Sequence, residues 1–357
     1  MNIKDNVLFV GLGNCGCKQA KTLHELGYKT LFANGSEQDI KILGDVPNIY
    51  KLRHFDGFGG HRERGLDCLA ENVEFVEEIQ NIKEEIIFVL YSAGGSTGSG
   101  LAPIVMELLL DGSDGKEQSD KIVCPIVTLP SSNEAIAKKK NAYQSMLDLQ
   151  NIDGLGASFF INNNAISGDY ERINMTFARM LDAFLDNNTY GELNNFDESE
   201  RMEMLQQSGS MILGMFGKEH DKAFMIEKLT KNGIFVPIEN DKVCGNIAVV
   251  HAGQNNTDID VNAIVSEVGK PYNYFEGYNG GSTMIAVSGL SYPVSHIRQL
   301  GELAVRAVEE RKRSRQTVGR LTELNFDDDE TIIKPKTNQT QRKIDILKRR
   351  QAEIAKR

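Results

Sequence analysis

Short apolar runs alternate with stretches whose apolar positions recur every three or four residues through the first 165 positions. Residues 7–10, 30–33, 86–91, 122–129 and 157–161 read as buried strands. Residues 17–26, 65–82, 101–110 and 134–149 read as helices, and Leu66, Leu69, Val73, Val76 and Ile79 place one apolar face along the second of them. Pro103 then falls in the first turn of the third, where proline is tolerated. This alternation predicts an α/β fold, a mostly parallel sheet with helices on both faces and its ligand crevice at the carboxyl ends of the strands. Residues 170–185 read as a further helix. Beyond it the strict alternation stops. Strands at 245–253 and 283–289 predict a second, α+β unit, and a long charged helix at 295–320 packs across it.

Composition narrows the class. The chain has 357 residues, 40% of them apolar and 25% charged, and a net charge of −10, so its body lacks the basic surface that dominates nucleic-acid binding. The five cysteines (Cys15, Cys17, Cys68, Cys124, Cys244) form no C-x-x-C pair and read as free thiols. No apolar run approaches membrane-spanning length and the first residues carry no signal-peptide pattern, so a soluble, cytoplasmic protein with no membrane partner is expected. The carboxyl end differs from the rest. After the acidic run 327–330, residues 333–357 hold nine Lys or Arg against two acids, a tail near +7 on a remainder near −17.

Two glycine-rich loops carry the candidate chemistry. Ala93-Gly94-Gly95-Ser96-Thr97-Gly98-Ser99-Gly100 lies between a predicted strand and a predicted helix. Glycines let the backbone curl and present its N–H groups, and a helix N-terminus carries partial positive charge. Together they suit a di- or triphosphate. No Lys follows Gly98 or Gly100, so this is not a Walker-type loop. The earlier Gly11-Leu12-Gly13-Asn14-Cys15-Gly16 fits G-x-G-x-x-G and opens an alternative, an NAD-binding Rossmann oxidoreductase. That reading wants an acid about 20 residues on, where Asn34-Gly35 stand. Tyr170 and Asn174 are four apart on one helix face, an aromatic ring to stack on a purine and an amide to pair with its edge.

The 94–100 run resembles the tubulin/FtsZ signature G-G-G-T-G-[ST]-G, with Ser96 in place of the third glycine. The resemblance extends over residues 6–320. It implies a Rossmann-like GTPase domain at 1–168, a central helix at 169–190, a second α+β domain at 191–292, a long C-terminal helix at 293–322 and a flexible basic tail at 323–357. It implies GTP or GDP as ligand, with Mg²⁺ bound mainly through phosphates and water. Gly11, Gly13, Asn14, Cys15 and Gly16 then match the first family loop and Asn34 the second. Gly59, Gly60 and Arg62 match the γ-phosphate loop, and Ala93, Gly94, Gly95, Ser96, Thr97, Gly98 and Ser99 the signature itself. Glu134 matches the ribose-holding acid of a Pro-x-x-x-Glu loop, and Lys138 stands where a phosphate-contacting Arg is found. Asn163, Tyr170 and Asn174 match the guanine-reading positions.

In this family hydrolysis is completed by a loop of the next subunit with the pattern N-x-D-x-x-D. The 255–260 segment, followed by Val261-Asn262-Ala263-Ile264, assigns that role to Asp260, with Asn255 and Asp258 supporting; a helix-capping role for either acid is the alternative. Head-to-tail filaments follow from such sharing. The basic tail and the charged terminal helix resemble the TubZ type, plasmid and phage tubulins that move DNA through an adaptor bound at a centromere-like site. A division FtsZ, a phage spindle tubulin and a non-hydrolysing nucleotide-binding scaffold are the alternatives.

Overall fold

The computed structural model of the protein describes residues 3–112, 119–186, 196–217, 221–254, 257–278 and 280–317. The tail at 323–357 and Asn255 lie outside them.

Strands β1 (Val7–Leu12), β2 (Lys29–Asn34), β3 (Ile49–Lys51), β4 (Ile86–Ser92), β5 (Ile122–Leu129) and β6 (Ala157–Asn162) are all parallel, in the order β3-β2-β1-β4-β5-β6. β4 and β5 are buried on both faces apart from the terminal Ser92, which accounts for their uninterrupted apolar runs. The chain runs outward from β1 to β3, then restarts at β4 on the other side of β1. This reversal opens a crevice between the carboxyl ends of β1 and β4.

Helices α1 (Gly13–His24), α2 (Glu37–Leu43), α3 (Gly65–Glu71), α4 (Val73–Gln80), α5 (Thr97–Leu110) and α6 (Ile136–Leu149) connect these strands. Two of them differ from expectation. The helix expected over 65–82 breaks at Asn72 (φ −120°, ψ 57°), between α3 and α4. The buried Asn72 amide accepts from the Arg53 N–H at 2.7 Å and donates to the Cys68 carbonyl at 2.8 Å. These bonds compete with continuation of the helix and pin the strand-following segment against it. The second difference is that α5 begins at Thr97, not at 101, so Pro103 lies inside the helix rather than in its first turn. Proline has no N–H for the carbonyl four residues back. That carbonyl, Ser99 O, instead accepts from Arg62 at 2.9 Å.

The second half extends the same sheet. α7 (Tyr170–Leu185) and α8 (Glu198–Gln206) cross over to β7 (Gly209–Phe216), which pairs in parallel with β6 at Ala157–Gly209 and Ser158–Ser210. β10 (Thr283–Leu290) is antiparallel to β7 and to β8 (Asn246–Val250), and β9 (Asn273–Gly277) closes the edge beside β8. Helices α9 (Lys222–Thr230) and α10 (Val261–Val268) lie between these strands in sequence, and α11 (Val294–Thr317) packs on α6. One apolar cluster, including Phe159, Phe177, Ile212 and Ile247, runs through both halves around α7. Among the described residues no helix is long and apolar enough to cross a membrane.

A parallel β6–β7 crossover obliges α7 to carry the chain from the crevice edge of the sheet to the opposite edge. Lys4, just before β1, accordingly pairs with Asp182 at 3.0 Å and Asp186 at 2.8 Å at the end of α7. α8 sits at that same edge. The Leu205 carbonyl lies so close to Gly156, the residue before β6, that an added Cβ there would stand 2.3 Å from it.

Candidate functional site

At the crevice the loops after β1 and β4 touch. Gly13 (φ +68°) lies against the start of α5, and a Cβ built on it would meet the Gly98 nitrogen at 2.9 Å. A Cβ on Gly98 would meet the Leu12 carbonyl at 2.6 Å. α1 and α5 therefore begin side by side, and only glycine allows it. Neither helix start is capped by a side chain, and neither carries an acid in its first turn. By contrast α2, α7, α8, α9 and α10 are each capped by a Ser or Asp side chain. Two uncapped helix starts aimed at one crevice form a strongly anion-attracting cradle.

The surrounding residues tie this cradle together. Gly60 N–H donates to Ser96 Oγ at 3.3 Å, and Asn141 donates to the Gly60 carbonyl at 3.2 Å, so the 59–60 loop is held over the signature. Ser99 Oγ donates to the Gly95 carbonyl, and the Ala93 N–H to the Thr128 carbonyl at 3.0 Å. Asn14 and Asn34 share one carboxylate. Asn14 Nδ2 donates to Asp39 Oδ1 at 3.1 Å, and Asn34 Nδ2 lies 3.4 Å from Asp39 Oδ2. Sequence reasoning missed Asp39, although Ser36-Glu37-Gln38-Asp39 has the spacing of a helix-capping box. Burial raises the Cys15 thiol, with a bond to Thr128 opposing it.

Glu134, Lys138, Asn163 and Tyr170 converge beside the cradle. Glu134 accepts from Lys138 at 2.6 Å, the Ser131 N–H at 3.0 Å, Asn163 at 3.3 Å and Tyr170 at 3.5 Å. Burial disfavours its charged form, but the Lys138 bond, the Ser131 amide and Asn163 outweigh it and hold the carboxyl below its ordinary value. Asn174 accepts from Gln19 at 3.1 Å, and Gln19 also donates to Thr128 at 2.8 Å. The buried Gln19 fixes the Asn174 amide from behind. No periodicity marked it, because it is a polar residue on the inner face of α1.

Three predicted residues lie elsewhere. Arg62 does not enter the cradle: its guanidinium is taken by the carbonyl that Pro103 frees and by Asp148 at 2.7 Å. Asp258 is turned inward. It pairs with His251 at 2.5 Å and accepts from the Ala252 N–H and the Thr283 hydroxyl. Burial opposes its charge, but these partners hold its carboxyl below the usual range. Asp260 caps α10, its Oδ1 accepting from Asn262 and Ala263 at 3.1 and 3.3 Å. The loop carrying both acids follows β8. Through β10, β8 runs in the same sense as β6 and β7, so this loop leaves the sheet edge that also carries the crevice. Asp258 and Asp260 therefore stand at the crevice edge of the sheet and not at the edge opposite it.

An acid pair does stand at that edge. Asp197 Oδ1 accepts from the Glu200 N–H at 2.9 Å, and Glu200 Oε2 accepts from the Asp197 N–H at 3.0 Å, a reciprocal cap at the exposed start of α8. Residues 195–200 read N-x-D-x-x-E. A search of the expected pattern that also admitted Glu would have found them.

A doubly wound parallel sheet with two glycine-rich loops meeting at its switch point is the architecture of nucleotide-binding α/β proteins. Residues 49–171 match the Tubulin/FtsZ family, GTPase domain. The tubulin-like protein TubZ of Clostridium botulinum C phage is 23% identical over 349 residues, 93% of each chain. The structure of Clostridium botulinum phage c-st TubZ, with its C-terminal tail truncated, has the same fold: TM-score 0.74, 22% identity, 86% of this chain and 99% of that one. A GTPγS-form protofilament of Bacillus thuringiensis serovar israelensis TubZ superimposes with TM-score 0.70 at 14% identity, over 88% of this chain and 94% of that one.

Because the folded carboxyl of Glu134 is held below its ordinary value of 4.5, its network contributes stability above that pH and loses it as pH falls through the lowered value. The expected cost of Glu134→Gln is about 1 kcal/mol at neutral pH, Lys138 being half exposed. Thermal melts of both proteins from pH 7 to pH 3 should show that difference shrinking toward acid.

Proposed function

We propose that this chain is a GTP-dependent, filament-forming protein of the TubZ kind, which hydrolyses GTP at the joint between successive subunits and moves plasmid or phage DNA through an adaptor. The observation that carries the reading is the pair of uncapped helix starts joined at Gly13 and Gly98. The triphosphate lies across them. Glu134 accepts from the ribose, Lys138 offers charge to the phosphates, and Asn163, Tyr170 and Asn174 read guanine. The Ser96 and Thr97 hydroxyls are oxygen donors suited to a hard cation. Magnesium on the phosphates, when bound, supplies charge neutralisation.

The acid that orients the attacking water comes from the next subunit. Asp197 and Glu200 follow α7, which runs from the base-reading side of the crevice to the opposite edge of the sheet. Sixteen residues of helix span about 24 Å. When one subunit's α8 edge is set on the next subunit's crevice, the acid pair meets the phosphates, and the contact propagates as a filament. The protofilament form of the Bacillus relative supports such stacking.

Asp197→Ala should bind GTP normally, assemble, and lose turnover by on the order of 10²-fold or more. Asp260→Ala should lose no more than a helix cap. A chain with Ser96→Asp, whose carboxylate caps α5 and repels phosphate, is the complement: it cannot hold GTP but presents an intact acid pair. Phosphate release measured on Asp197→Ala mixed with Ser96→Asp should recover. Turnover lost in Asp260→Ala and kept in Asp197→Ala would refute this arrangement.

The tail supplies the cargo contact in this reading. A segment near +7 suits an acidic adaptor or the phosphates of DNA. Removing residues 333–357 should leave GTP turnover and sedimentable polymer unchanged. It should abolish capture of the adaptor–DNA complex, and capture by the full chain should fall steeply between about 50 and about 200 mM salt. Loss of polymer on truncation would move the tail into the filament itself.

A further inference from the structure

Arg201 is the largest side chain among those fully buried in the described residues, at 1% exposure. A cation in that position is costly to bury unless its surroundings repay it. Its surroundings are specific. Nε donates to the Phe184 carbonyl in the last turn of α7 at 2.7 Å. The guanidinium lies 4.4 Å from the centre of the Phe196 ring, the residue immediately before Asp197. Asp197, Glu200, Glu198 and Asp186 surround it with negative charge, while burial pulls the guanidinium down to about 10 against them. Phe196 is itself buried and packs at 5.9 Å on Phe184, so ring and carbonyl belong to one assembly.

We propose that Arg201 is the positioning residue for hydrolysis, locking the Asp197–Glu200 acid pair to the end of α7. This inference rests on the reading of that pair given above. The capping box fixes the two acids relative to each other but does not fix them to the rest of the molecule. Arg201 does so by grasping three parts at once: the α7 terminus through a hydrogen bond, the residue before the cap through its ring, and the acids through charge. A lysine reproduces only the charge, because it has no planar face to lay on Phe196 and no fork of donors. Since α7 begins at Tyr170 beside the base-reading residues and ends at this guanidinium, the acid pair a subunit offers to its neighbour is held in register with its own crevice.

The test compares Arg201→Lys and Arg201→Met with wild type in the full chain. Arg201→Lys keeps the charge beneath the acids and so the fold. Both variants should bind GTP with wild-type affinity. Turnover per polymerised subunit should fall on the order of tenfold in Arg201→Lys and 10²-fold in Arg201→Met, since a displacement near 1 Å of a catalytic group costs up to that much. KM should be unchanged, because the defect lies in the neighbour's acid and not in the pocket. Mixing either variant with Ser96→Asp should restore turnover, which a misfolded chain could not show. Wild-type turnover in Arg201→Lys, or no recovery on mixing, would overturn the proposal. If Asp197→Ala also turned over normally, the fault would lie in the acid assignment; if Asp197→Ala were inactive and Arg201→Lys normal, it would lie with Arg201 alone.

Discussion

The architecture depends on the absence of two side chains. Gly13 and Gly98 let the starts of α1 and α5 meet with backbone against backbone. A methyl group on either would drive the loops apart by more than hard-sphere contact permits. The meeting aims two sets of free N–H groups at one point, and the sequence leaves both helix starts without cap or acid. Five other helices have that vacancy filled by Ser or Asp. Leaving these two open costs stability in the free protein, a cost that a bound polyphosphate would offset.

From that point the other elements act as supports. The Pro103 ring removes one helix hydrogen bond, and Arg62 fills the gap and braces the signature helix against Asp148 on α6. Asn141 and Ser96 hold the 59–60 loop in place. α7 links the two edges of the sheet. It starts at Tyr170 beside Glu134 and Asn163, passes through the shared core at Phe177, and ends where Lys4 and Arg201 grip it. The crevice and the acid pair therefore sit at opposite edges of one sheet, the disposition that head-to-tail sharing needs.

Much of this was legible from residue patterns. The strands β1, β2, β4, β5 and β6 and the bounds of α7 follow from apolar runs and 3.6-residue periodicity, because buried parallel strands and amphipathic helices leave those marks. The glycine-rich loops were legible because backbone geometry demands glycine there. The rest was hidden for physical reasons. Asn72 interrupts a good apolar stripe with side-chain hydrogen bonds that no periodicity records. Arg62 looked like a phosphate ligand because the vacancy behind Pro103 appears only once the start of α5 is known. The 255–260 segment drew the acid role because Asp260 keeps the last acid of the pattern and an apolar helix follows, whereas 195–200 keeps Asn195 and Asp197 but ends in Glu200. What separates them is strand direction, which depends on pairings formed far along the chain. β7 and its parallel pairing with β6 were not anticipated.

The central claim is that the crevice between β1 and β4 is a guanine nucleotide site built on paired helix starts. Calorimetric titration of the full chain with GTP in the presence of Mg²⁺, repeated with ATP as competitor, tests it most directly. The account predicts one GTP bound per chain and no displacement by ATP in equal excess, because Asn163 and Asn174 are set to read the guanine edge. Equal displacement by ATP, or binding of NAD in place of either, would contradict it.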